Sequence, residues 1–288
     1  MKYRYTKQGV HLFDRCTGIN ILMDEFVCSD DILSVAPANV SIALTNRCNR
    51  SCAHCFVPKV DAMLDSATVC DWVSELNDNG CLGVGFGGGE PFLYPDLCHV
   101  CQYVQSKTSM ACTLTTNGDF LDNSTIEWMK HNVNFARIST NGAALNFSRI
   151  ESLTKYLSIG INYLLNERTF PDLGETIKSC ADVGVKEVLL LPQIETDCCR
   201  GVGAEFLLMV DDWLMSTTLP LRVTISAFSS DGMKSISAIP GDVGARQYLH
   251  ISADGLVKTS SIAQTGVAIG KKTLIQTIKE VYCHENMV

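Results

Sequence analysis

The chain has 288 residues, of which 46% are hydrophobic and 19% are charged, and its formal net charge is −8. These values suit one large globular domain or two small ones, and the acidic balance without a Lys/Arg-rich run weighs against nucleic acid as a partner. Residues 1–7 contain no apolar signal core and no apolar run approaches the length of a membrane span. We therefore expect a cytoplasmic protein without a membrane partner.

The first 39 residues are expected to be β-rich, with strand-like stretches at 10–13 and 19–23. From residue 40 a strand–helix rhythm begins. The predicted strands are 40–45, 83–87, 111–116, 135–140, 161–166 and 187–191, and the predicted helices are 66–78, 96–106, 123–131, 146–157 and 172–183. Short apolar strands that alternate with amphipathic helices favour an α/β fold with a parallel sheet, and six such units predict a partial (β/α)6 TIM-like barrel over residues 40–195.

The rhythm changes in the last third of the chain. A helix is predicted over 204–215, a strand over 221–228 and a closing helix over 272–282. Residues 248–252 and 256–260 flank an Asp-Gly dipeptide and predict a β-hairpin. We therefore expect residues 196–288 to form a C-terminal extension of β-hairpin and helix.

Three cysteines, Cys48, Cys52 and Cys55, form a C-x3-C-x2-C run directly after the first predicted barrel strand. Three thiolates on so short a loop leave a four-coordinate site incomplete, which suits an iron–sulfur cube with one iron open to another ligand. A structural zinc site completed by His54 or a distant cysteine is the alternative. Zinc motifs usually have two paired arms, however, and no second arm follows at a suitable spacing.

A glycine-rich segment, Gly-Gly-Gly-Glu-Pro at residues 87–91, follows one strand–helix unit later. Consecutive glycines let the backbone approach a ligand closely. Together the two motifs resemble those of the radical S-adenosylmethionine (radical SAM) superfamily. The resemblance implies one [4Fe-4S] cluster on the three cysteines as the electron donor, and SAM on the open iron. It also implies that Gly88, Gly89 and Glu90 bind the amino end of SAM.

The same resemblance implies further SAM contacts near the strand ends. His54 occupies a position that is usually aromatic. The other implied contacts are Thr116, Asn117, Ser139, Asn166 and Leu191. The Thr-Asn-Gly segment at 116–118 is also an ordinary turn sequence, so a turn and a SAM contact both remain open there.

Substrate contacts are expected among polar residues near the same strand ends and in the C-terminal hairpin. The candidates are Asn141, Arg168, Gln193, Glu195, Cys198, Cys199 and His250. Asn141 stands where the family pattern usually has Asp, which removes a charge from the site. Arg168 follows Glu167, and such a pair is also typical of solvated surface. The two adjacent cysteines also fit an ordinary loop.

Residues 250–260 resemble the hairpin of the SPASM and Twitch extensions, which bind auxiliary clusters. Thr259 and Ser260 stand where that pattern has Pro-Cys, and no cysteine-rich run follows over 262–272. We therefore expect a Twitch-like extension that has lost its auxiliary-cluster cysteines.

The resemblance implies that reductive cleavage of SAM yields a 5′-deoxyadenosyl radical, which takes hydrogen from a peptide or small-metabolite substrate. We expect a redox-neutral tailoring reaction, with flavodoxin or ferredoxin as the electron donor. One alternative is a catalytically silent protein that binds SAM and a cluster. A less favoured one is a radical SAM enzyme that modifies RNA.

Overall fold

The structure is a computed structural model that describes residues 1–140, 145–226, 233–235 and 246–285. The substrate candidate Asn141 lies outside the described residues. Every helix within the described ranges is too short or too polar to cross a membrane.

The N-terminal segment forms an antiparallel sheet of β1 (Lys2–Thr6), β2 (Gly9–Phe13) and β3 (Asn20–Met23). The sequence pattern predicts β2 and β3 but not β1. In β1 the charged residues are buried and the aromatic residues are exposed, which is the reverse of the usual alternation. Lys2 and Arg4 are buried there, whereas Tyr3 and Tyr5 are exposed. The two buried cations donate hydrogen bonds to backbone carbonyls elsewhere in the fold.

The strands of the main sheet are β4 (Asn39–Thr45), β5 (Gly83–Gly88), β6 (Ala111–Thr116), β7 (Phe135–Thr140), β8 (Ser158–Leu165), β9 (Glu187–Pro192), β10 (Arg222–Ile225), β11 (Tyr248–Ile251), β12 (Leu256–Lys258) and β13 (Val267–Ala268). Their spatial order is β10-β9-β8-β7-β6-β5-β4-β11-β12-β13. All neighbours from β10 to β11 pair in parallel, and β11, β12 and β13 pair antiparallel. The predicted α/β fold with a parallel, partial TIM-like barrel is confirmed. The division of the chain at residues 39 and 195 stays a prediction.

The helices are α1 (Ser66–Asp78), α2 (Leu97–Lys107), α3 (Asn123–Asn132), α4 (Phe147–Thr154), α5 (Leu173–Asp182), α6 (Ala204–Ser216) and α7 (Leu274–Glu285). Side-chain caps fix several of their starts. Asp65 accepts a hydrogen bond from the Thr68 amide at 2.9 Å before α1, and Asp122 accepts one from the Thr125 amide at 2.8 Å before α3. Each cap satisfies a backbone donor that the first helical turn leaves unpaired.

The two faces of the main sheet differ in chemistry. One face packs against the helices and forms the apolar core, with Ile42, Phe86 and Leu114 at most 1% exposed. The other face, here called the lumenal face, carries residues such as Thr115 and Ser139. Because side chains alternate along a strand, every second residue faces the barrel interior. The lumen therefore carries polar groups that a ligand can contact, beside apolar residues such as Leu164.

Candidate active site

The three cysteines lie on the loop that follows β4, where Cys48 is exposed and Cys52 and Cys55 are half-buried. The Arg50 amide donates a hydrogen bond to Cys48 Sγ at 3.4 Å. Burial raises the pKa of the Cys52 thiol, and the neighbouring Cys55 and Cys48 raise this pKa further, against a lowering by Arg50. Burial and the neighbouring thiols thus both disfavour the thiolate form of Cys52, and bound iron would offset this effect.

This set of three thiols fits an iron–sulfur cube with one iron open to another ligand. Within the described parts of the chain, no group of three or more His, Cys, Asp or Glu side chains is arranged to hold a metal ion. A cube takes each thiolate on a different iron, so its ligands surround the cluster instead of meeting at one point. Among the same residues, the zinc alternative finds no closed site of four ligands.

His54 is half-buried on the cysteine loop. Burial lowers the pKa of its imidazole, and the positive charge of Lys59 lowers it further. Both effects favour the neutral form of the ring. A neutral, flat ring suits the usually aromatic position that the resemblance assigns to it, and its contact with SAM stays a prediction.

The cysteine loop is held against the loop that follows β6. Arg50 donates two hydrogen bonds to Asp119, from Nε at 2.8 Å and from Nη2 at 2.5 Å. Asn49 Nδ2 donates to Asp119 at 2.7 Å, and Asn117 Nδ2 donates to Asn49 Oδ1 at 2.8 Å. The guanidinium of Arg50 lowers the pKa of the Asp119 carboxyl. Sequence reasoning missed Arg50 and Asp119, because only the fold brings these two loops together.

The glycines of the Gly-Gly-Glu segment pack against the backbone of the cysteine loop. A Cβ atom at Gly89 would lie 2.1 Å from the Arg47 carbonyl oxygen, and one at Gly88 would lie 2.3 Å from that of Thr45. Gly88 also has a φ of +118°, which side-chain-bearing residues rarely adopt. The sequence suggests close approach to a ligand, and the structure shows close approach to the neighbouring loop.

Glu90 joins this segment to the Thr-Asn-Gly turn. Its side chain is 1% exposed and accepts a hydrogen bond from Thr116 Oγ1 at 2.7 Å and one from the Asn117 amide at 2.8 Å. Burial raises the pKa of the Glu90 carboxyl, and these hydrogen bonds oppose the rise. The carboxylate therefore positions Thr116 and Asn117, and direct contact of all three with SAM stays a prediction.

The remaining implied SAM residues lie at or near the carboxyl ends of β7 to β9. Asn166 is 9% exposed and caps its own turn, since its Oδ1 accepts from the amides of Arg168 at 2.9 Å and Thr169 at 3.0 Å. Ser139 lies on the lumenal face of β7. Leu191 lies on the lumenal face of β9 in register with Leu164 of β8, so the two form an apolar pair near the rim that suits a flat base.

Gln193 organises the loop that follows β9. It accepts from Asn166 Nδ2 at 2.8 Å and donates to the Arg200 carbonyl at 2.6 Å. This loop contains Cys198, which is exposed, and Cys199, which is half-buried. The hydroxyl of Thr196 donates to the Ala53 carbonyl at 3.2 Å, so the fold places the two cysteines beside the cysteine loop.

Arg168 and Glu195 are exposed at the same rim. Glu195, Glu167 and Arg200 line an open groove of about 610 Å³. The groove combines two carboxylates with one guanidinium, so it is chemically suited to a polar chain. Roles of Arg168 and Glu195 in substrate binding stay predictions.

His250 lies on β11, apart from that rim. Its Nδ1 is 2.7 Å from Ser41 Oγ, which is also 2.6 Å from the Tyr248 hydroxyl. Burial lowers the pKa of the His250 imidazole to about 4, and the charge of Lys258 acts in the same direction. The ring is therefore a neutral hydrogen-bonding group between β4 and β11, and its contact with the substrate stays a prediction.

Comparison with protein families matches the Radical SAM superfamily over residues 42–191, which is more than half of the chain. The chain is 31% identical over 97 residues to the antilisterial bacteriocin subtilosin biosynthesis protein AlbA of Bacillus subtilis, a match that covers 33% of this chain and 21% of AlbA. It is 34% identical over 95 residues to the PqqA peptide cyclase of Gluconobacter oxydans, which covers 32% of this chain and 26% of the cyclase. These matches span about a quarter or less of either relative.

Among solved structures, SuiB of Streptococcus suis bound to S-adenosylmethionine superimposes with a TM-score of 0.73 at 15% identity, over 96% of this chain and 86% of SuiB. At this identity the similarity shows a shared fold. The family match spans β4 to β9 and includes the cysteine loop, the Gly-Gly-Glu segment and the Thr-Asn-Gly turn, which the structure joins by direct hydrogen bonds. The chain therefore belongs to the radical SAM superfamily of enzymes.

Proposed function

We propose that this protein is a radical SAM enzyme that modifies a peptide. One observation carries the proposal. The loops after β4, β5 and β6 meet at one edge of the sheet, where Glu90 and Asn49 bond to the Thr-Asn-Gly turn. In parallel α/β sheets, ligands bind at this carboxyl edge. The three motifs of the family therefore form one continuous surface.

Cys48, Cys52 and Cys55 would hold one [4Fe-4S] cluster, which supplies, when reduced and bound to SAM, the electron that generates a 5′-deoxyadenosyl radical. The chain's own residues would bind and orient SAM. Glu90 fixes the Thr-Asn-Gly turn on which SAM is expected to rest. Leu164 and Leu191 offer an apolar surface for the adenine, and Ser139 a hydroxyl below it.

The peptide class is supported by the two curated relatives, one a bacteriocin biosynthesis protein and the other a peptide cyclase. In this chain Thr259 and Ser260 follow β12, where an auxiliary-cluster cysteine would be expected. A reaction without a second cluster has no second acceptor for the substrate electron, so the proposed outcome is redox-neutral. Flavodoxin or ferredoxin is the proposed electron donor.

The test is anaerobic. The protein is reconstituted with iron and sulfide, reduced with dithionite and given SAM, and 5′-deoxyadenosine is measured by mass spectrometry. We expect deoxyadenosine to form slowly without a peptide. If an intact, reducible cluster yields none, with or without extract of the source cell, the chain is a silent binding protein.

The cysteine assignment predicts that Cys52→Ala loses cluster and deoxyadenosine formation together, because two thiolates do not retain the cube. Iron content and the visible absorption of the reconstituted protein measure this loss. Cys98→Ala is the matched control, since it removes an exposed cysteine of a C-x2-C pair on helix α2. Full cluster content in the Cys52 variant would contradict the ligand assignment.

A further inference from the structure

The lumenal face carries a polar cluster that the SAM assignments do not use. It consists of Arg137 on β7, Asn162 on β8, Glu187 on β9 and Arg222 on β10, here called the floor cluster. Arg137 Nη2 is hydrogen-bonded to Glu187 Oε1, and Arg222 Nη1 lies 3.8 Å from Glu187 Oε2. Asn162 lies on the same face of β8, the strand between β7 and β9.

The floor cluster lies below the expected position of SAM. Asn162 pairs in register with Ser139, one of the implied SAM contacts. Arg137 lies two residues nearer the amino end of β7 than Ser139. At about 3.3 Å per residue, Arg137 is roughly 7 Å deeper in the barrel. A group bound between Asn162 and Arg137 would therefore lie in the lumen, on the substrate side of SAM.

Two buried polar atoms of this cluster have no hydrogen-bond partner within the part of the chain that the structure describes. They are Arg137 Nη1 and Asn162 Oδ1. The whole Asn162 residue is only 9% exposed. Proteins rarely bury such atoms unpaired, because burial removes their water without replacing it. Unpaired polar atoms on a lumenal face point to a ligand that supplies the missing partner.

The surroundings fix one half of the Arg137 guanidinium and leave the other half available. A Cβ atom at Gly160 would lie 2.9 Å from the Phe135 ring and 3.3 Å from Glu187 Cγ. Glycine at this position therefore lets Arg137 reach across β8 to Glu187. The guanidinium also lies 5.1 Å from the centroid of the Phe135 ring. Nη2 is held by this arrangement, and Nη1 remains to bind a ligand.

The charge and donors of the cluster favour an anion. Two guanidinium groups face one carboxylate, which leaves the cluster with a net positive charge. Arg137 Nη1 donates hydrogen bonds. The unpaired atom of Asn162 is the acceptor Oδ1, and a half-turn of the side chain would put the donating amide nitrogen in its place. Two donors beside a positive charge match a carboxylate, which forms the stronger, charge-assisted kind of hydrogen bond.

We propose that Arg137 and Asn162 bind a carboxylate of the substrate, either an acidic side chain or the C-terminal carboxylate of a peptide. Binding there would place a neighbouring C–H bond below SAM. The peptide nature of the substrate rests on the proposed function, whereas the carboxylate site rests on the floor cluster.

The test measures the binding of three small probes to the protein reconstituted with its cluster and loaded with SAM, by saturation-transfer NMR under anaerobic conditions. The probes are N-acetylglutamate N-methylamide, its neutral glutamine counterpart, and N-acetylglutamine with a free C-terminal carboxylate. We expect at least one carboxylate probe to bind about tenfold more tightly than the neutral probe, as one charge-assisted pair allows. The tighter of the two carboxylate probes identifies which source the site prefers.

Two variants assign this preference to the floor cluster. Arg137→Lys keeps a positive charge opposite Glu187 but removes the second donor nitrogen, Nη1. Asn162→Leu removes the side-chain amide. Each variant should weaken binding of the preferred carboxylate probe about tenfold. Arg149→Met removes an exposed guanidinium on helix α4 and should leave binding unchanged. Asn162→Leu should also keep or raise the thermal stability, because it removes an unpaired polar group, whereas a purely structural amide would lower it.

Equal binding of all three probes, or unchanged carboxylate binding in both floor-cluster variants, would overturn the inference. Deoxyadenosine formation without peptide, measured on the wild-type protein, reports on the proposed function separately. Carboxylate binding by a protein that forms no deoxyadenosine would remove the proposed function and leave this site standing.

Discussion

At the scale of single residues, Glu90 is a buried and hydrogen-bonded side chain of the candidate site. It is 1% exposed and fixes Thr116 and Asn117 through direct hydrogen bonds. Removing a buried acceptor leaves its donors unpaired, which costs about 1–3 kcal/mol. Its loss therefore affects the turn on which SAM is expected to rest more than the cysteine loop, to which the backbone amides of Gly89 and Glu90 donate hydrogen bonds.

We accordingly predict that Glu90→Ala raises the dissociation constant for SAM about tenfold or more while the iron content stays unchanged. Equilibrium dialysis of SAM against the reconstituted protein measures the affinity. Glu151→Ala, an exposed glutamate on helix α4, serves as the control. An unchanged SAM affinity in the Glu90 variant would remove this residue from the site.

A second residue-scale prediction concerns His250, whose pKa is lowered to about 4 by burial. Between pH 6.5 and 4 the unfolded chain binds a proton at this residue and the folded protein does not. The stabilisation of the folded protein by neutral, buried His250 is therefore complete above pH 6.5 and is lost as the pH falls toward 4. It amounts to no more than about 3.5 kcal/mol, since each pKa unit corresponds to about 1.4 kcal/mol.

His250→Gln should flatten this part of the pH profile, because an amide can still bond to Ser41 but does not titrate. Urea unfolding of both proteins at pH 7 and pH 4.5 gives the comparison. His131→Gln, which changes an exposed histidine on α3, should follow the wild type. Parallel profiles for the wild type and the His250 variant would show that burial does not depress the pKa of this ring.

At the scale of elements, the site depends on ties between neighbouring strand-end loops. Arg50 and Asp119 form a two-bond pair that is partly shielded, with side chains 30% and 40% exposed. Arg47 and Asp61 form a similar pair at the start of the same loop, with side chains 56% and 65% exposed. Solvent screens the second pair more strongly, so it contributes less.

We predict that Asp119→Ala speeds loss of the cluster to a chelator several-fold, because the cysteine loop is freed from the loop after β6. Asp61→Ala, which breaks the more exposed Arg47–Asp61 pair, is the matched control and should have a smaller effect. Bleaching of the visible absorption under anaerobic conditions gives both rates. Equal rates in the two variants would mean that the tie to β6 does not hold the loop.

At the scale of the whole molecule, segments far apart in sequence complete one sheet. β11 pairs in parallel with β4, and β10 pairs in parallel with β9. The N-terminal sheet is attached by Arg4, which is 4% exposed. Its guanidinium donates to the carbonyls of Ala36 at 2.5 Å, Gly80 at 3.0 Å and Arg246 at 3.0 Å.

Arg4→Met should lower the free energy of unfolding by about 2–5 kcal/mol, because it leaves three carbonyls from three segments without this donor. Lys7→Met, at an exposed lysine of the same N-terminal segment, should change it by no more than about 0.5 kcal/mol. Urea unfolding midpoints measure both effects. A similarly small effect in both variants would show that the N-terminal sheet is not fastened through Arg4.

The sequence by itself determined the alternation of strands and helices in this protein, since apolar periodicity and strand-end turns are local properties. Strands β6 and β7 begin and end where the pattern predicts, whereas β8 begins at Ser158 instead of 161. The earlier start follows from pairing with β7, which extends the strand to Ser158. The cysteine run and the Gly-Gly-Glu segment were equally visible, because each is contiguous in the chain.

Only the tertiary structure decided which of these residues meet. Arg50 and Asp119 are 69 residues apart, and no local pattern links them. Arg4 opposes the usual rule for strands, because a charged side chain is buried where distant carbonyls satisfy it. Arg137 and Asn162 carry no motif. Those of their atoms that lack a partner among the described residues acquire meaning only where β7 and β8 place them on one lumenal face. Local chemistry thus specified the elements, and burial combined with long-range hydrogen bonding specified the site.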